Sequence, residues 1–454
     1  MVPVQIYSDS ISPRLQYACR ILFDCVLKVP YQLINTPDSL PPQGISIFYK
    51  TKISDKETGL HIVPSGILEE QDLRENKPIV GWDGNIPQLF FNEKEKRESF
   101  DPFSAAFYMA TRYEEYLPFR PDNYGRFAEF ESLSGINDFT HLPIVHIWAN
   151  RLVNAIKKQY PEFTMSEKKA VAIFTYDIDV AYAYRGRTLT NRFLSFAKDL
   201  VKGNFKNAVN KIRTGFGKKL DPSDTYNLLE NNTLPAMFFF LLSKKRTRYD
   251  RNISPKAKVL QLLIHRIASL KLTIGIHPSY YSSERPGLMH SEKKELESIV
   301  NQPITVSRQH FLRFRLPETF RELQKAGIQH DYSMQYPEMP GFRAGLCVPF
   351  PFFDLLENRE TDLILHPGCI METTFRDDLN LPAAQSLDWY LDLWQKVQEV
   401  GGEYISIWHN DTLWDGLPDS HPLAFRQIHQ KLVEIISAGN GSKSQPLSPS
   451  DDSR

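Results

Sequence analysis

The stretch VAIFTYDID, Val171–Asp179, decides how this chain is read. Six residues without a charge end in two carboxylates, Asp177 and Asp179, with Ile178 between them. A continuous apolar run bounded by polar residues is the signature of a strand buried on both faces, as in a parallel sheet covered by helices. In a regular strand, residues two apart share a face, so both carboxylates would point to one side of the strand end. In isolation such a pair is as good a turn cap as a catalytic device, since Asp favours strand-to-loop transitions. The rest of the chain has to decide between the two.

Downstream the same pattern repeats. LPAMFFFLL (234–242), KLTIGIHPS (271–279), ITVSRQH (304–310), IQHDYSM (328–334), DLILHPG (362–368) and EYISIWHN (403–410) read as six further strands. Amphipathic segments such as SPKAKVLQLLIHRIASL, SEKKELESIVNQ, LPETFRELQKAG and AQSLDWYLDLWQKVQEVGG fall between several of them. Alternation of strands and helices predicts βα units, and seven such units are of barrel size. Asp177, Asp179, His277, Arg308, His310, Asp331 and His409 all fall at predicted C-terminal strand ends. In parallel barrels that rim gathers the catalytic groups.

Upstream, VPVQIYS, GISIFYK and HIVPS read as strands. SPRLQYACRILFDCVL, PFSAAFYMATRYEEYL and LPIVHIWANRLVNAIKKQY read as helices, the first after a Ser cap and the second opening on Asp101-Pro102. The predicted fold class is therefore α/β: a smaller α/β N-terminal domain over residues 1–165, then a deformed (β/α)7 barrel over 166–438. A tail over 439–454, rich in Ser, Pro and Gly, is predicted to be disordered. A long insertion near 185–232 carries the segment RFLSFAKDLVKGNFKNAVNKIRTGFGKK, with eight Lys/Arg against one Asp. It reads as a solvated helical excursion or as a peripheral contact with a membrane surface.

The 454 residues are 41% hydrophobic and 12% aromatic, enough for packed cores, and divide naturally into two domains. Lys+Arg and Asp+Glu balance at 54 each, which leaves no nucleic-acid footprint. Cys19, Cys25, Cys347 and Cys369 show no CxxC spacing and read as reduced, buried thiols. The first residues lack the charged start and apolar run of a signal peptide, and no apolar stretch approaches the ~18–20 residues of a membrane helix. A cytoplasmic location is the expectation. No GxGxxG or GxxxxGK[ST] motif points to dinucleotide or P-loop chemistry.

The order TYDID, GIHPSYYS, SRQHF, DYSM, IWHN resembles the polysaccharide deacetylases, the NodB-homology or carbohydrate esterase family 4 group, and in particular long bacterial members with an extra N-terminal domain. The resemblance spans about residues 170–415. It implies a metal-dependent hydrolase that removes acetyl groups from N- or O-acetylated glycans. It implies Asp177 as general base, Arg308 as the residue that orients it, and His409 as general acid. Asp179 and His277 are implied metal ligands, with Zn²⁺ foremost and Co²⁺, Ni²⁺ or Mn²⁺ as substitutes. The family's second motif carries another His four residues after the first, and here that position is Tyr281. His310 is the candidate third ligand in its place. Two other readings stand beside this one: a catalytically inactive glycan-binding barrel, and hydrolysis of a non-sugar C–N bond on the same scaffold. Arg343, His366, Trp408 and Trp414 are weaker candidates for the pocket wall, and His141 and His146 read as structural.

Overall fold

The computed structural model describes residues 3–36, 44–52, 54, 57–75, 78–91, 100–187, 205–230, 233–414 and 422–439. Two sheets organise it. The first has four parallel strands, β1 (Val4–Tyr7), β2 (Tyr31–Ile34), β3 (Ile45–Tyr49) and β4 (Leu60–Ile62), in the order β2-β1-β3-β4. Helix Pro13–Cys19 connects β1 to β2 after a Ser12 cap that accepts the Leu15 N–H, and it continues as a π-helical stretch, Arg20–Leu27. Asp101 caps helix Pro102–Ala110 by accepting the N–H groups of Phe103 and Ser104. Every residue of that helix is buried. A hairpin that the sequence reading passed over joins β5 (Val80–Asp83) and β6 (Ile86–Leu89), with Gly84 at φ 60° in its turn.

The second sheet contains all seven strands anticipated downstream: β7 (Ala170–Ile178), β8 (Ala236–Leu241), β9 (Thr273–His277), β10 (Val306–Ser307), β11 (His330–Asp331), β13 (Arg359–Leu365) and β15 (Gly402–His409). It has two more, β12 (Phe350–Asp354) and β14 (Ile370–Met371), in the order β12-β13-β11-β10-β9-β8-β7-β15-β14. Only β12 runs antiparallel to its neighbour. Pro351 lies inside it, and a residue without an N–H is tolerated there because β12 is an edge strand. The count is thus nine strands rather than seven.

Alternation along the strands divides the side chains between two cores. Phe174, Tyr176, Phe238 and Phe240 join the main core under the helices. Ile173, Met237, Phe239, Val306, Tyr332 and Ile405 form a cluster of their own on the other face. Strands β7, β8, β10 and β15 and the residue just past β11 all feed that inner cluster, so the sheet curls onto itself and its polar strand ends converge.

The main core runs without a break from the first sheet to the second. Tyr17 OH donates to Pro351 O at 2.7 Å, and Arg14 Nε donates to Asn358 Oδ1 at 3.0 Å. At the centre of this junction Arg343 grips Glu115 through two bonds, Nε–Oε1 at 2.9 Å and Nη2–Oε2 at 2.7 Å. Arg112 holds the same carboxylate at 2.7 Å and reaches Tyr336 OH at 2.8 Å. All four charged or polar partners are buried. Arg343 is therefore a structural clamp and not a pocket residue. Breaking a buried pair leaves an uncompensated charge, so Arg343→Met is expected to destabilise the fold by about 3–5 kcal/mol, read by denaturant unfolding. Stability within about 1 kcal/mol of wild type would refute the clamp.

Other weak candidates also resolve into packing. Trp408 is fully buried and stacks on Tyr390 at 5.0 Å. His366 bonds His330 and Glu403, each at 3.0 Å, away from the rim carboxylates. His146 packs against a cysteine: its Nε2 accepts the Cys347 N–H at 3.2 Å, with Cys347 Sγ 3.5 Å away. Burial lowers its pKa to about 3, so it is a neutral core residue. Of the basic insertion, helix Phe205–Gly215 is described and residues 188–204 lie outside the described residues, as does the tail from 440 onward. No helix among the described residues is long and apolar enough to cross a membrane.

Candidate active site

The curl of the second sheet brings Asp177, Asp179, His277, Arg308, His310 and His409 to one end. Asp177 pairs in register with His409 of β15 across the β7–β15 ladder. His277 closes β9, and Arg308 and His310 leave β10 beside it. The cavity at this rim, about 220 Å³, is lined by Asp177, Asp179, His277, His310 and His409 among others.

Arg308 is fully buried and lies 4.4 Å over the Phe239 ring. Its Nε donates to Tyr332 O at 3.0 Å, which fixes the guanidinium plane, and its Nη1 donates to Asp177 Oδ1 at 2.8 Å. Asp177 is thereby held with its second oxygen toward His277, whose Nε2 lies 3.7 Å away.

The two imidazoles are oriented from behind. His277 Nδ1 lies 2.6 Å from the Arg308 carbonyl oxygen. A carbonyl only accepts, so Nδ1 carries the proton and Nε2 faces the cavity side with its lone pair. His310 Nδ1 lies 3.0 Å from Asp250 Oδ1, and Asp250 also accepts the Tyr280 N–H at 2.9 Å. Burial opposes ionisation of Asp250, but these bonds hold its pKa below the usual value. It is a carboxylate, and His310 Nδ1 donates to it.

Between the imidazoles sits Asp179. Its Oδ1 is 3.2 Å from His277 Nε2 and its Oδ2 is 3.2 Å from His310 Nε2. One ligand atom from each of these three residues lies within 4.8 Å of the others. Asp179 Oδ1 is buried and accepts no hydrogen bond, despite the nearby imidazole. Two nitrogens and a carboxylate gathered this closely, with outer partners fixing each tautomer, form a donor set that fits a divalent ion of the zinc class. Without an ion, His310 has to carry a second proton between Asp179 and Asp250. Burial disfavours that charge, but the two carboxylates outweigh it and raise the His310 pKa to about 9. The same contacts, against the cost of burial, hold Asp179 well below the ordinary carboxylate range.

On the far side, His409 Nδ1 lies 2.9 Å from Glu372 Oε1, and its Nε2 is 3.8 Å from Asp179 Oδ2. Glu372 is fully buried and also accepts the His409 N–H and the Thr412 hydroxyl. Burial pulls the His409 pKa down, and Glu372 with the two rim aspartates overrides it, up to about 10.

Two residues of this constellation were not anticipated: Asp250, in a loop 60 positions before His310, and Glu372, just past the two-residue strand β14. Asp331 lies apart from the cavity, where it accepts the Ser307 hydroxyl at 2.7 Å and the Ser333 N–H at 2.9 Å. Tyr281 packs 5.1 Å from Tyr280 and is not among the residues lining the cavity.

Residues 4–161 match a family described as a family of unknown function (DUF7033). No curated protein matches the chain. Among solved structures, the polysaccharide deacetylase Bc1974 of Bacillus cereus is similar at 10% identity and a TM-score of 0.29, over 62% of this chain and 93% of its own. A family 4 carbohydrate esterase of Streptomyces lividans, in complex with acetate, is similar at 12% identity and a TM-score of 0.28, over 62% and 95%. BA3943 of Bacillus anthracis, a family 4 pseudoenzyme, is similar at 12% identity and a TM-score of 0.26, over 59% and 62%. The likenesses are distant, and they include an inactive member.

Proposed function

We propose that this protein is a metal-dependent hydrolase that removes an acetyl group from an N-acetylated or O-acetylated saccharide, on a curled sheet that acts as a partly open (β/α) barrel. The observation that supports the reading best is the division of labour at the rim. One carboxylate, Asp177, is gripped by a buried arginine, and the other, Asp179, lies between two imidazoles whose tautomers are fixed from behind.

A divalent ion held by Asp179, His277 and His310 would supply Lewis-acid polarisation of the acyl oxygen. Asp177, held in place by Arg308, accepts a proton from the attacking water. The new C–O bond forms at the acyl carbon. His409, protonated with Glu372 behind it, donates its proton to the departing nitrogen or oxygen as the old C–N or C–O bond breaks. Acetate and the free amine or alcohol result.

Purified full-length protein, loaded in turn with Zn²⁺, Co²⁺, Ni²⁺ and Mn²⁺, is the test. Acetate release would be measured from N-acetylglucosamine, its oligomers, O-acetylated xylan fragments and small linear and cyclic amides. Saccharide turnover that a chelator abolishes is the expected outcome. Turnover confined to non-sugar amides would replace the substrate class. No bound metal and no turnover rescued by any of these ions would favour a glycan-binding role.

Glu372 makes a separate prediction. It is the strongest influence raising the His409 pKa, so Glu372→Gln is expected to move that pKa down from about 10. The acid form then disappears at lower pH, and the alkaline limb of the kcat profile shifts the same way. Imidazole NMR titration reads this directly, and an unmoved His409 would refute the pairing.

A further inference from the structure

Part of the cavity wall comes from the first third of the chain. Tyr124 and Arg126 line the cavity with the rim residues, although they precede β7 by more than forty positions. They sit in a tight loop closed by a bridge between Pro121 and Phe127. Asp122 accepts both of their backbone N–H groups at 2.8 Å and the Arg126 Nε at 2.7 Å. The loop is pinned to the rim from three directions. Arg126 Nη1 donates to Phe311 O at 2.8 Å, Arg313 Nε donates to Tyr124 O at 2.7 Å, and Tyr280 OH donates to the same oxygen at 3.1 Å. The Tyr124 ring lies 5.2 Å from Phe311, the residue that follows His310. So many bonds make a fixed wall rather than a lid.

Arg376, Asp377 and Asp378 line the same cavity. Asp378 is pushed up to about 6 by burial, and Arg126 is the largest charge pulling it back. The loop therefore brings to this acidic side of the cavity a guanidinium that is bonded to Asp122 and to Phe311 O and lies 4.8 Å over the Tyr124 ring. An aromatic face with donors and acceptors of both charges nearby suits a neutral sugar ring, whose hydroxyls both donate and accept and whose C–H face packs on an arene. At about 220 Å³ the cavity is below the ~300–1,000 Å³ of sites for larger ligands. Its size suits one ring with its acyl group.

Resting on the hydrolase reading above, we propose that Tyr124 and Arg126 are specificity residues, through which the N-terminal part of the chain seats a single N-acetylated sugar ring, free or at a chain end. The test uses the full-length, zinc-loaded protein as wild type, Tyr124→Ala and Arg126→Gln, with thermal unfolding as the control for folding. Saturation-transfer NMR reads the seating of N-acetylglucosamine and of its β-1,4-linked tetramer, and steady-state kinetics read KM and kcat separately.

Tyr124→Ala is expected to raise KM for the monosaccharide about tenfold or more, with kcat within about threefold and the NMR contacts weakened in parallel. In the wild type, the tetramer is expected to lose acetyl groups at a terminal residue. Unchanged KM and contacts in Tyr124→Ala, or equal deacetylation of internal residues by the wild type, would overturn the proposal. A purely structural role would lower the melting temperature and kcat of the variants together and leave KM in place, which also overturns it. Seating of the monosaccharide that Tyr124→Ala abolishes, with no turnover by any form, would sink the hydrolase reading and leave the wall standing. No seating of either saccharide would overturn the wall itself.

Discussion

Asp177→Asn is expected to lower kcat/KM for deacetylation by about 10³-fold while the bound metal stays at the wild-type level. The size follows from the role: loss of a positioned general base typically costs ~10²–10⁴-fold. The substitution keeps the shape of the side chain and lets the amide oxygen go on accepting from Arg308 Nη1, now 2.8 Å from Asp177 Oδ1. It removes the basic oxygen and little else. Asp177 is outside the group formed by Asp179, His277 and His310, so metal content should not follow activity. That separation is the discriminating result. Rates within tenfold of wild type would exclude Asp177 as the base. A parallel loss of metal and activity would make it a ligand, His277 Nε2 being 3.7 Å from its Oδ2.

How much of this could be read from the chain depends on the range over which each signal acts. Strand positions were legible because Val171–Tyr176 and Leu234–Leu242 are short uncharged runs bounded by polar or turn residues, the pattern of strands buried on both faces. The gathering of Asp177, His277, Arg308 and His409 was legible for the same reason, since parallel strands place their C-terminal ends on one rim. Strand β14 is two residues long, too short for any periodicity, and Glu372 behind it went unseen. Asp250 lies nine residues past the end of β8, inside the loop to the next helix, and meets His310 through the fold of that loop at Thr247–Asp250 under Tyr280. Partnerships of that kind arise from tertiary approach, and no spacing announces them. The junction of the two sheets was illegible too. Arg343 reads as a candidate for the pocket wall until Glu115 is placed between it and Arg112.

His310 is the candidate third ligand of the site, and it makes the sharpest demand on metal binding. His310→Ala is expected to weaken zinc binding by more than about 100-fold, whereas Asp250→Asn, which alters only the outer partner, should cost about 10–100-fold. Competition with a chromophoric chelator measures both. The pH dependence has a definite sign. In the metal-free protein the His310 pKa is raised from 6.5 to about 9, and the doubly protonated ring cannot act as a ligand. Zinc affinity should therefore climb with pH up to about 9, by about tenfold per unit for this one proton. Stability of the metal-free protein runs the other way. A pKa raised on folding contributes stability that is complete below about 6.5 and is lost as pH rises through about 9. Raising the pH should thus loosen the apo fold while tightening its hold on zinc, and His310→Ala should remove this proton's share of both trends. If the variant binds zinc as tightly as wild type, with the same pH slope, His310 is not the third ligand and the site is completed elsewhere.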